Sequence, residues 1–438
     1  MFKITFLGAG STIFAKNCLG DCISIDTIKD FEIALFDIDF ERLDDSYNML
    51  QNILTNNGRK DVVIKKYHNR REALKDAKYV INAIQVGGYE PSTVIDFEIP
   101  KKYGLRQTIA DTLGIGGIFR ALRTIPVLEE FAKDMTDVCP DALFINYTNP
   151  MCILTGYMQR YTKIKTVGLC HSVQCCVPGL LETLGMEEYI NKCKWEIAGI
   201  NHQAWLLKIT DLEGNDLYPE IKRRSLSGEY EDKKAWDLVR HYMMHNFGYY
   251  ITESSEHTSE YTPYFIKRNY PELIDKFKIP LDEYPRRCIK QINDWKEMRN
   301  SLVLDKTIEH KLSNEYAARI INAIENDEPY RIHGNVINND LIDNLPKNAC
   351  VEVACMVDRN GINPCKVGEL PEICASINRT NINVQLLTIE AAHTRKKEKI
   401  YQAACLDPHT ASELSIEEIK SLCDDLIAAH GDYLPKFD

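Results

Sequence analysis

The sequence has no apolar run close to the roughly 18 consecutive residues that span a membrane as a helix. It also lacks an excess of positive charge, because 53 Lys and Arg stand against 64 Asp and Glu and leave a formal net charge of -11. These absences argue against a membrane protein and against nucleic-acid binding through a general basic field. Since the first ten residues read as a strand and not as a cleavable signal, we expect a cytoplasmic protein.

Signs of a disulfide scaffold or of a structural zinc ribbon are also missing. The 15 cysteines are odd in number, are spread over a chain of 438 residues and include the adjacent pair Cys175 and Cys176. No C-x-x-C pair occurs, and there is neither an internal repeat nor a linker rich in Gly and Ser. We therefore expect reduced thiols, and any metal site must combine ligands that lie far apart in the sequence.

What the sequence does contain is an alternation of strands and helices over its first half. Short apolar runs such as 3–7, 31–36, 62–67 and 142–146 are separated by segments with helical spacing of apolar residues. This pattern predicts an α/β fold, with an N-terminal Rossmann-like, doubly wound parallel sheet. The alternation breaks down after about residue 200. We therefore predict two domains, 1–200 for a nucleotide and 201–438 as a mixed α+β domain for substrate binding and oligomerisation.

The turn after the first strand is typical of a dinucleotide site. Gly8, Gly10 and Ser11 lie between a strand and a helix, where backbone amides and the helix dipole favour a pyrophosphate. The common fingerprint has a third glycine where this chain has Ile13, so the turn alone is a weak signal. Asp37 and Asp39 follow the next strand, in the place of an acidic group that binds the ribose and disfavours a 2′-phosphate. Together these features favour NAD over NADP.

Three further polar groups of residues could carry chemistry, and each has an ordinary structural alternative. Cys170 with His171 and Asn201 with His202 follow two apolar runs and could share one divalent cation, although a single Cys or His at a strand end is more often structural. The run 252–261 holds three carboxylates, a histidine and a tyrosine; the alternative is a solvated loop. The segment 111–117 places glycines before a helix, and a flexible turn would explain them equally well.

These motifs occur in an order that resembles the NAD- and manganese-dependent glycoside hydrolases of family 4. The resemblance rests on Gly-x-Gly-Ser, Asp-Thr-x-Gly-x-Gly-Gly, Asn-Tyr-x-Asn-Pro, Gly-Leu-Cys-His-Ser and Gly-Ile-Asn-His, and it extends to the carboxyl terminus. Segments 252–257, 341–346, 380–385 and 424–432 are most similar to the bacterial α-galactosidases, or melibiases, of that family.

The resemblance implies roles for individual residues. It implies NAD and Mn²⁺ as cofactors. Cys170 and His202 match the metal ligands, and Asn149 matches the residue that binds sugar hydroxyls. His171 is in the position of the group that protonates the leaving oxygen, and Asp111 matches a carboxylate that raises the basicity of the catalytic base. Tyr261 is our choice for that base and Glu256 is the alternative. The predicted site therefore consists of catalytic His171, Tyr261, Asp111 and Glu256, cofactor-binding Gly8, Gly10, Ser11, Asp37 and Asp39, substrate-binding Asn149, and metal-binding Cys170 and His202.

The family mechanism implied in this way is unlike that of ordinary glycosidases with two flanking carboxylates. The sugar is oxidised at carbon 3, loses the proton on carbon 2, eliminates the aglycone, adds water and is reduced again. We expect hydrolysis of terminal α-galactosides such as melibiose. The alternatives are an α-glucoside or an α-galacturonide with the same mechanism, an NAD-dependent 2-hydroxy-acid dehydrogenase, or a non-enzymatic NAD-sensing module. The resemblance further implies a homodimer or homotetramer with a small-molecule substrate.

Overall fold

The computed structural model describes every residue from Met1 to Asp438. Helices and strands alternate along the chain, and helices form its C-terminal part. The strands are β1 (Phe2–Leu7), β2 (Phe31–Phe36), β3 (Val62–Tyr67), β4 (Tyr79–Asn82), β5 (Leu143–Asn146), β6 (Lys165–Leu169), β7 (Cys193–Ile200), β8 (Gln203–Asp211), β9 (Tyr250–Ile251), β10 (Tyr330–Ile337), β11 (Cys350–Asp358) and β12 (Gly361–Pro364). The helices are α1 (Thr12–Ser24), α2 (Phe40–Asn56), α3 (Arg70–Leu74), α4 (Val94–Lys102), α5 (Gly114–Val138), α6 (Met151–Tyr161), α7 (Ser172–Thr183), α8 (Tyr218–Leu226), α9 (Leu238–Phe247), α10 (Ser255–Tyr261), α11 (Glu272–Lys276), α12 (Glu283–Arg299), α13 (Tyr316–Asn326), α14 (Glu372–Thr394), α15 (Lys397–Leu406), α16 (Pro408–Glu413) and α17 (Ile416–His430).

The first six strands form the predicted parallel, doubly wound sheet. Their order is β3-β2-β1-β4-β5-β6, and all neighbouring pairs are parallel. The order reverses between β1 and β4, where Ile4 pairs with Ile33 on one side and with Tyr79 on the other. Ligands of such sheets bind beyond the carboxyl ends of the strands at this reversal. The Rossmann-like prediction is confirmed, and the turn after β1 lies at the reversal.

The second half of the chain continues the same sheet with antiparallel strands. β10 joins the edge strand β6, with Gly334 opposite Leu169, and the order continues β10-β11-β7-β8-β9 while β12 pairs with β11. Ile4 and Ile33 of the parallel part belong to one buried apolar cluster together with Ile321 and Val353. The halves therefore share both a sheet and a core. A domain boundary at residue 200 stays a prediction.

Two expectations that rested on absences can be compared with the structure. All 15 cysteines are free thiols, as their distribution predicts. None of the helices combines the length and the apolar character that crossing a bilayer requires. Element ends differ from the sequence patterns by about one residue: β1 is Phe2–Leu7 where the apolar run is 3–7, and β5 is Leu143–Asn146 where it is 142–146.

Candidate active site

A thiol, an imidazole and a carboxylate meet where three separate segments end. Cys170 follows β6, His202 lies in the turn between β7 and β8, and Glu253 follows β9. The Sγ atom of Cys170 is 3.3 Å from Nε2 of His202, and Nε2 is 3.5 Å from Oε2 of Glu253. One donor atom from each residue lies within 4.8 Å of the others. The structure thus brings together the two predicted metal ligands and adds a third donor.

The backbone at this cluster is held in a conformation that side chains other than glycine rarely adopt. His202 has a φ of 62° and Glu253 a φ of 66°. Left-handed backbone at a non-glycine residue costs free energy and persists where surrounding contacts impose it, commonly at functional sites. Two of the three donors are therefore presented by strained turns.

The charges within the cluster favour a divalent cation. Burial raises the pKa of the Cys170 thiol, and the nearby carboxylates of Glu253 and Glu352 raise it further. Burial also opposes ionisation of Glu253, but His202 and His257 outweigh it and lower the pKa of that carboxyl to about 2. The Cys170 thiol must therefore release its proton and become a thiolate when a cation binds. Sulfur, nitrogen and oxygen donors suit a transition-metal ion such as Mn²⁺ or Zn²⁺, with the carboxylate favouring Mn²⁺.

The glycine turn after β1 fits a dinucleotide pyrophosphate. Gly8 has a φ of 88°, and a Cβ there would lie 2.7 Å from the carbonyl oxygen of Ala83 at the end of β4. Ser11 precedes α1 without capping it, so the first-turn amides of a 13-residue helix receive no bond from its side chain. Free amides at a helix N-terminus are an anion site. Gly8, Gly10 and Ser11 therefore lie together before α1, as the predicted cradle for the pyrophosphate requires.

The two acidic residues after β2 have different surroundings. Asp37 accepts a hydrogen bond from the Gly10 amide at 2.6 Å and lies beside the glycine turn. Asp39 caps α2 and accepts bonds from the amides of Glu41 and Arg42, both at 3.1 Å. Asp37 is thus the acidic group beside the glycine turn, whereas Asp39 stabilises the start of α2, a role that was not predicted from the sequence.

Asp111 and Asn149 are brought together across the mouth of the parallel sheet. Nδ2 of Asn149 donates to Oδ2 of Asp111 at 3.2 Å, and Nε of Arg120 donates to the Asn149 carbonyl oxygen at 3.2 Å. Nε2 of His257 lies 3.7 Å from Oδ1 of Asp111. Burial opposes ionisation of Asp111, but His257 and Arg120 hold the pKa of this carboxyl below its ordinary value. Asp111 is therefore a buried anion close to the Cys170, His202 and Glu253 cluster.

His171 differs from its neighbours because it is exposed. Its side chain is 61% accessible, and Nδ1 lies 3.8 Å from Oε1 of Glu315. Cys170 on one side points into the cluster, while Ser172 on the other is buried at the start of α7. An exposed imidazole beside a carboxylate at the rim of a site can exchange protons with solvent and with a leaving group.

The two candidates for a base occupy different environments. Tyr261 is buried, and its hydroxyl has no hydrogen-bond partner. Burial raises the pKa of this phenol well above its ordinary value, and Asp111 and Glu253 add to the effect. Glu256 is bonded to Arg287 at 2.7 Å and to Ser254 at 2.9 Å. The hydroxyl of Tyr261, and not the carboxylate of Glu256, is therefore free of a hydrogen-bond partner.

Four residues at the site were not singled out from the sequence. Glu253 and His257 lie in the segment 252–261, which is mostly buried and forms helix α10 from Ser255 onward instead of a solvated loop. Glu260 accepts bonds from the amides of residues 108, 109 and 110, and Glu352 is buried beyond Asn335. Burial raises the pKa of both glutamates to about 7. The density of ionisable residues in 252–261 could have pointed to Glu253, His257 and Glu260, but no comparable pattern surrounds Glu352.

Comparison with known families agrees with this geometry. The sequence model for "Family 4 glycosyl hydrolase" matches residues 3–186, and the model for its C-terminal domain matches residues 197–410. The chain belongs to glycosyl hydrolase family 4. The two models cover the parallel part with Cys170 and the antiparallel part with His202 and Glu253, so this family 4 chain builds its cluster from both matched regions.

Two curated relatives extend the similarity over the full chain. An α-galactosidase of Bacillus subtilis is 62% identical over 437 residues, which cover 100% of both chains. An α-galactosidase of Rhizobium meliloti is 34% identical over 453 residues, covering 100% of this chain and 90% of the relative.

Solved structures show the same fold. The 6-phospho-β-glucosidase of Thermotoga maritima, solved with manganese, NAD⁺ and glucose 6-phosphate, superposes with a TM-score of 0.78 at 21% identity and covers 100% of both chains. A lactate dehydrogenase from a deep-sea metagenome has a TM-score of 0.52 at 15% identity, covering 90% of this chain and 99% of its own. Family membership disfavours the dehydrogenase alternative, although the fold is shared.

Proposed function

We propose that this family 4 enzyme hydrolyses terminal α-galactosides such as melibiose and that it uses NAD⁺ and Mn²⁺. The observation that carries the proposal is the Cys170, His202 and Glu253 cluster in a chain that is 62% identical to an α-galactosidase over its whole length. A simple glycosidase has no use for a dinucleotide cradle, whereas a glycosidase that oxidises its sugar transiently needs both features. The cytosolic location and the homo-oligomeric state stay predictions.

The residues present fit both cofactors. Gly8, Gly10 and Ser11 would hold the pyrophosphate, Asp37 would meet the ribose, and Cys170, His202 and Glu253 would hold the cation. When bound, NAD⁺ supplies a hydride acceptor and the cation stabilises negative charge on neighbouring oxygens.

The chain's own side chains account for binding and proton transfer. Asn149, held by Asp111 and Arg120, would bind sugar hydroxyls with the part of its amide that faces the site. His171 would protonate the leaving oxygen from the rim, where its exposure lets it regain a proton from water.

Tyr261 is the stronger candidate for the base that removes the proton from carbon 2. Its hydroxyl has no hydrogen-bond partner and lies within the electrostatic influence of Asp111 and Glu253, whereas Glu256 is engaged by Arg287. The raised pKa keeps this phenol protonated in the free chain. The pKa of Tyr261 would fall in the field of a cation held by the neighbouring ligands, and Asp111 would keep the resulting phenolate basic.

The arginines near the site favour a sugar without charge on carbon 6. Arg123 is buried against Asp96 at 2.6 Å, and Arg287 pairs with Glu256 and Glu283. Arg120 is bonded to the Asn149 carbonyl oxygen and to Tyr284. Arg123 and Arg287 are therefore already neutralised by carboxylates, whereas Arg120 has only uncharged hydrogen-bond partners. With two of the three cations paired, and with 62% identity to an α-galactosidase, the neutral α-galactoside is favoured over a 6-phosphate or a uronate.

A substrate panel tests the proposal. Nitrophenyl α-galactoside, α-glucoside, α-galacturonide and their 6-phosphates, where these exist, should be assayed with NAD⁺, Mn²⁺ and a thiol reductant. We expect the unphosphorylated α-galactoside to be cleaved fastest, without net formation of NADH. Equal cleavage by enzyme stripped of dinucleotide and metal would reject the proposal.

A further inference from the structure

A buried carboxylate outside the proposed active site has no role in any step above. Asp237 lies directly before α9 and is fully buried. Its side chain does not cap that helix, because it accepts no bond from the first amides of α9. An ionised carboxylate in the interior is costly unless it is paired and hydrogen-bonded. The partners of Asp237 therefore indicate what this residue holds in place.

The partners of Asp237 lie on both sides of Glu253 in the sequence. Oδ2 of Asp237 accepts a hydrogen bond from the hydroxyl of Tyr250, in β9. Oδ1 accepts a hydrogen bond at 3.0 Å from the hydroxyl of Ser255, the first residue of α10. One carboxylate is therefore bonded to the chain three residues before and two residues after the proposed metal ligand.

Arg240 balances the charge of Asp237 and adds two bonds to the same segment. Its Nε donates to Oδ1 of Asp237, and both side chains are buried. Its Nη1 donates to the carbonyl oxygen of Ile251 at 3.4 Å, and its backbone amide donates to Oγ of Ser255 at 3.2 Å. Since a buried ion pair is strongly destabilised when one partner is lost, Asp237 and Arg240 act as one anchor.

The turn at Glu253 is also fastened to β8. The amide of Thr252 donates to the carbonyl oxygen of Ala204 at 2.8 Å, and the Ala204 amide donates to Oγ1 of Thr252 at 3.2 Å. Only Glu253 and Ser254 lie between this attachment and Ser255. Glu253 has a φ of 66°, a conformation that persists only where surrounding structure imposes it. Two fixed ends with two residues between them impose it here.

We propose that Asp237 is a positioning residue, which holds the strained turn so that the carboxylate of Glu253 completes the metal cluster. The inference rests on the proposed function, because it takes Glu253 as a ligand of the cation. Asp237 is not itself a donor in the cluster and acts through Tyr250 and Ser255. Residues that support a metal ligand in this way commonly change metal affinity about 10- to 100-fold when they are replaced.

The mildest test removes one hydroxyl and keeps the Asp237–Arg240 pair. In full-length Ser255→Ala we expect Mn²⁺ affinity, followed by the electron paramagnetic resonance signal of free Mn²⁺, to fall about tenfold, with less than about a twofold change in NAD⁺ affinity. Ser259→Ala is the matched control. It also removes a buried hydroxyl from α10, but Oγ of Ser259 donates only to the carbonyl oxygen of Glu256, at 2.7 Å, so Mn²⁺ affinity should not change.

A double-mutant cycle shows whether the effect passes through Glu253. Glu253→Ala should weaken Mn²⁺ binding by itself. Ser255→Ala should cause no further loss in that background, because the ligand that it helps to position is already gone. Additive losses would overturn the proposal, and so would an Mn²⁺ affinity of Ser255→Ala equal to that of the parent.

Asp237→Asn tests the carboxylate directly. We expect the folded variant to bind Mn²⁺ about 10- to 100-fold more weakly than the parent, and equal affinity would overturn the proposal. Since this change leaves the buried Arg240 without a counter-charge, circular dichroism must show that the variant is folded; if it is not, Ser255→Ala and the cycle decide. Failure of the parent enzyme to bind Mn²⁺ would instead overturn the proposed function, and this inference with it.

Discussion

The Gly8–Ser11 turn and the Cys170, His202 and Glu253 cluster are built in opposite ways. The turn bonds its own amides within the fold, leads directly into the uncapped start of α1, and has no room for side chains at Gly8 and Gly10. The cluster combines the side chains of Cys170, His202 and Glu253, which come from three separate segments of the sequence. Two of these side chains, His202 and Glu253, come from strained turns in the antiparallel part of the sheet. A site built from one backbone segment can be recognised in a short stretch of sequence, whereas a site built from distant side chains forms only when the whole sheet has folded.

Loss of a cluster side chain should have the largest effect. Removal of a residue that only supports a metal ligand lowers metal affinity about 10- to 100-fold. Cys170→Ser should weaken Mn²⁺ binding by more than this, because it changes a ligand itself. Binding can be followed by the electron paramagnetic resonance signal of free Mn²⁺. Cys175→Ser, at an exposed thiol on α7, is the control. Full activity of Cys170→Ser in metal-free buffer would show that the cluster is not a metal site.

A side chain added to the Gly8–Ser11 turn should weaken NAD⁺ binding and leave Mn²⁺ binding by the Cys170, His202 and Glu253 cluster unchanged. In Gly8→Ala the new Cβ would meet the Ala83 carbonyl oxygen at 2.7 Å while φ stays at 88°, so NAD⁺ affinity should fall about tenfold or more with Mn²⁺ binding retained. Gly58→Ala also has a positive φ, of 64°, but no atom within 4 Å, and it isolates the conformational cost. Calorimetric titration with NAD⁺ measures both. Comparable NAD⁺ affinity in the two variants would count against a close-packed cradle.

Acid should destabilise the fold through His333, a buried histidine of the antiparallel half. His68 and His171 of the parallel half are exposed, whereas His333 is buried and its pKa is lowered to about 3. Below an unfolded pKa of about 6.5 the unfolded chain binds a proton that the folded chain does not, so stability falls as the pH drops. At pH 5 this amounts to about 2 kcal/mol. His333→Gln should therefore lose less unfolding free energy than the parent between pH 7 and pH 5 in urea titrations; equal losses would contradict the assignment.

The smallest expected effect separates the two aspartates after β2. Asp39→Ala removes a helix cap and should lower stability by about 1 kcal/mol with NAD⁺ affinity nearly unchanged. Asp37→Ala should weaken NAD⁺ binding instead, because its carboxylate adjoins the Gly10 amide. Thermal unfolding with and without NAD⁺ measures both properties. The reverse pattern would exchange the roles that the structure gives them.

This contrast also explains what the sequence could predict. The parallel strands and the glycine turn follow from local apolar spacing and from one short motif, and they were predicted nearly residue by residue. Cys170 and His202 were paired because each follows an apolar run, but Glu253 could not be chosen from three carboxylates in one segment. The burial of Tyr261 and the cap made by Asp39 depend on tertiary packing, which leaves no periodic signal. The joining of β10 to β6 likewise is a long-range pairing without a local pattern.

The most direct test of the account is hydrolysis of melibiose in deuterium oxide, with the released galactose analysed by nuclear magnetic resonance. If a base of the chain removes the proton on carbon 2 before the aglycone leaves, the product carries deuterium at that carbon. Galactose with its original hydrogen on carbon 2, formed at the full catalytic rate, would contradict the proposed chemistry.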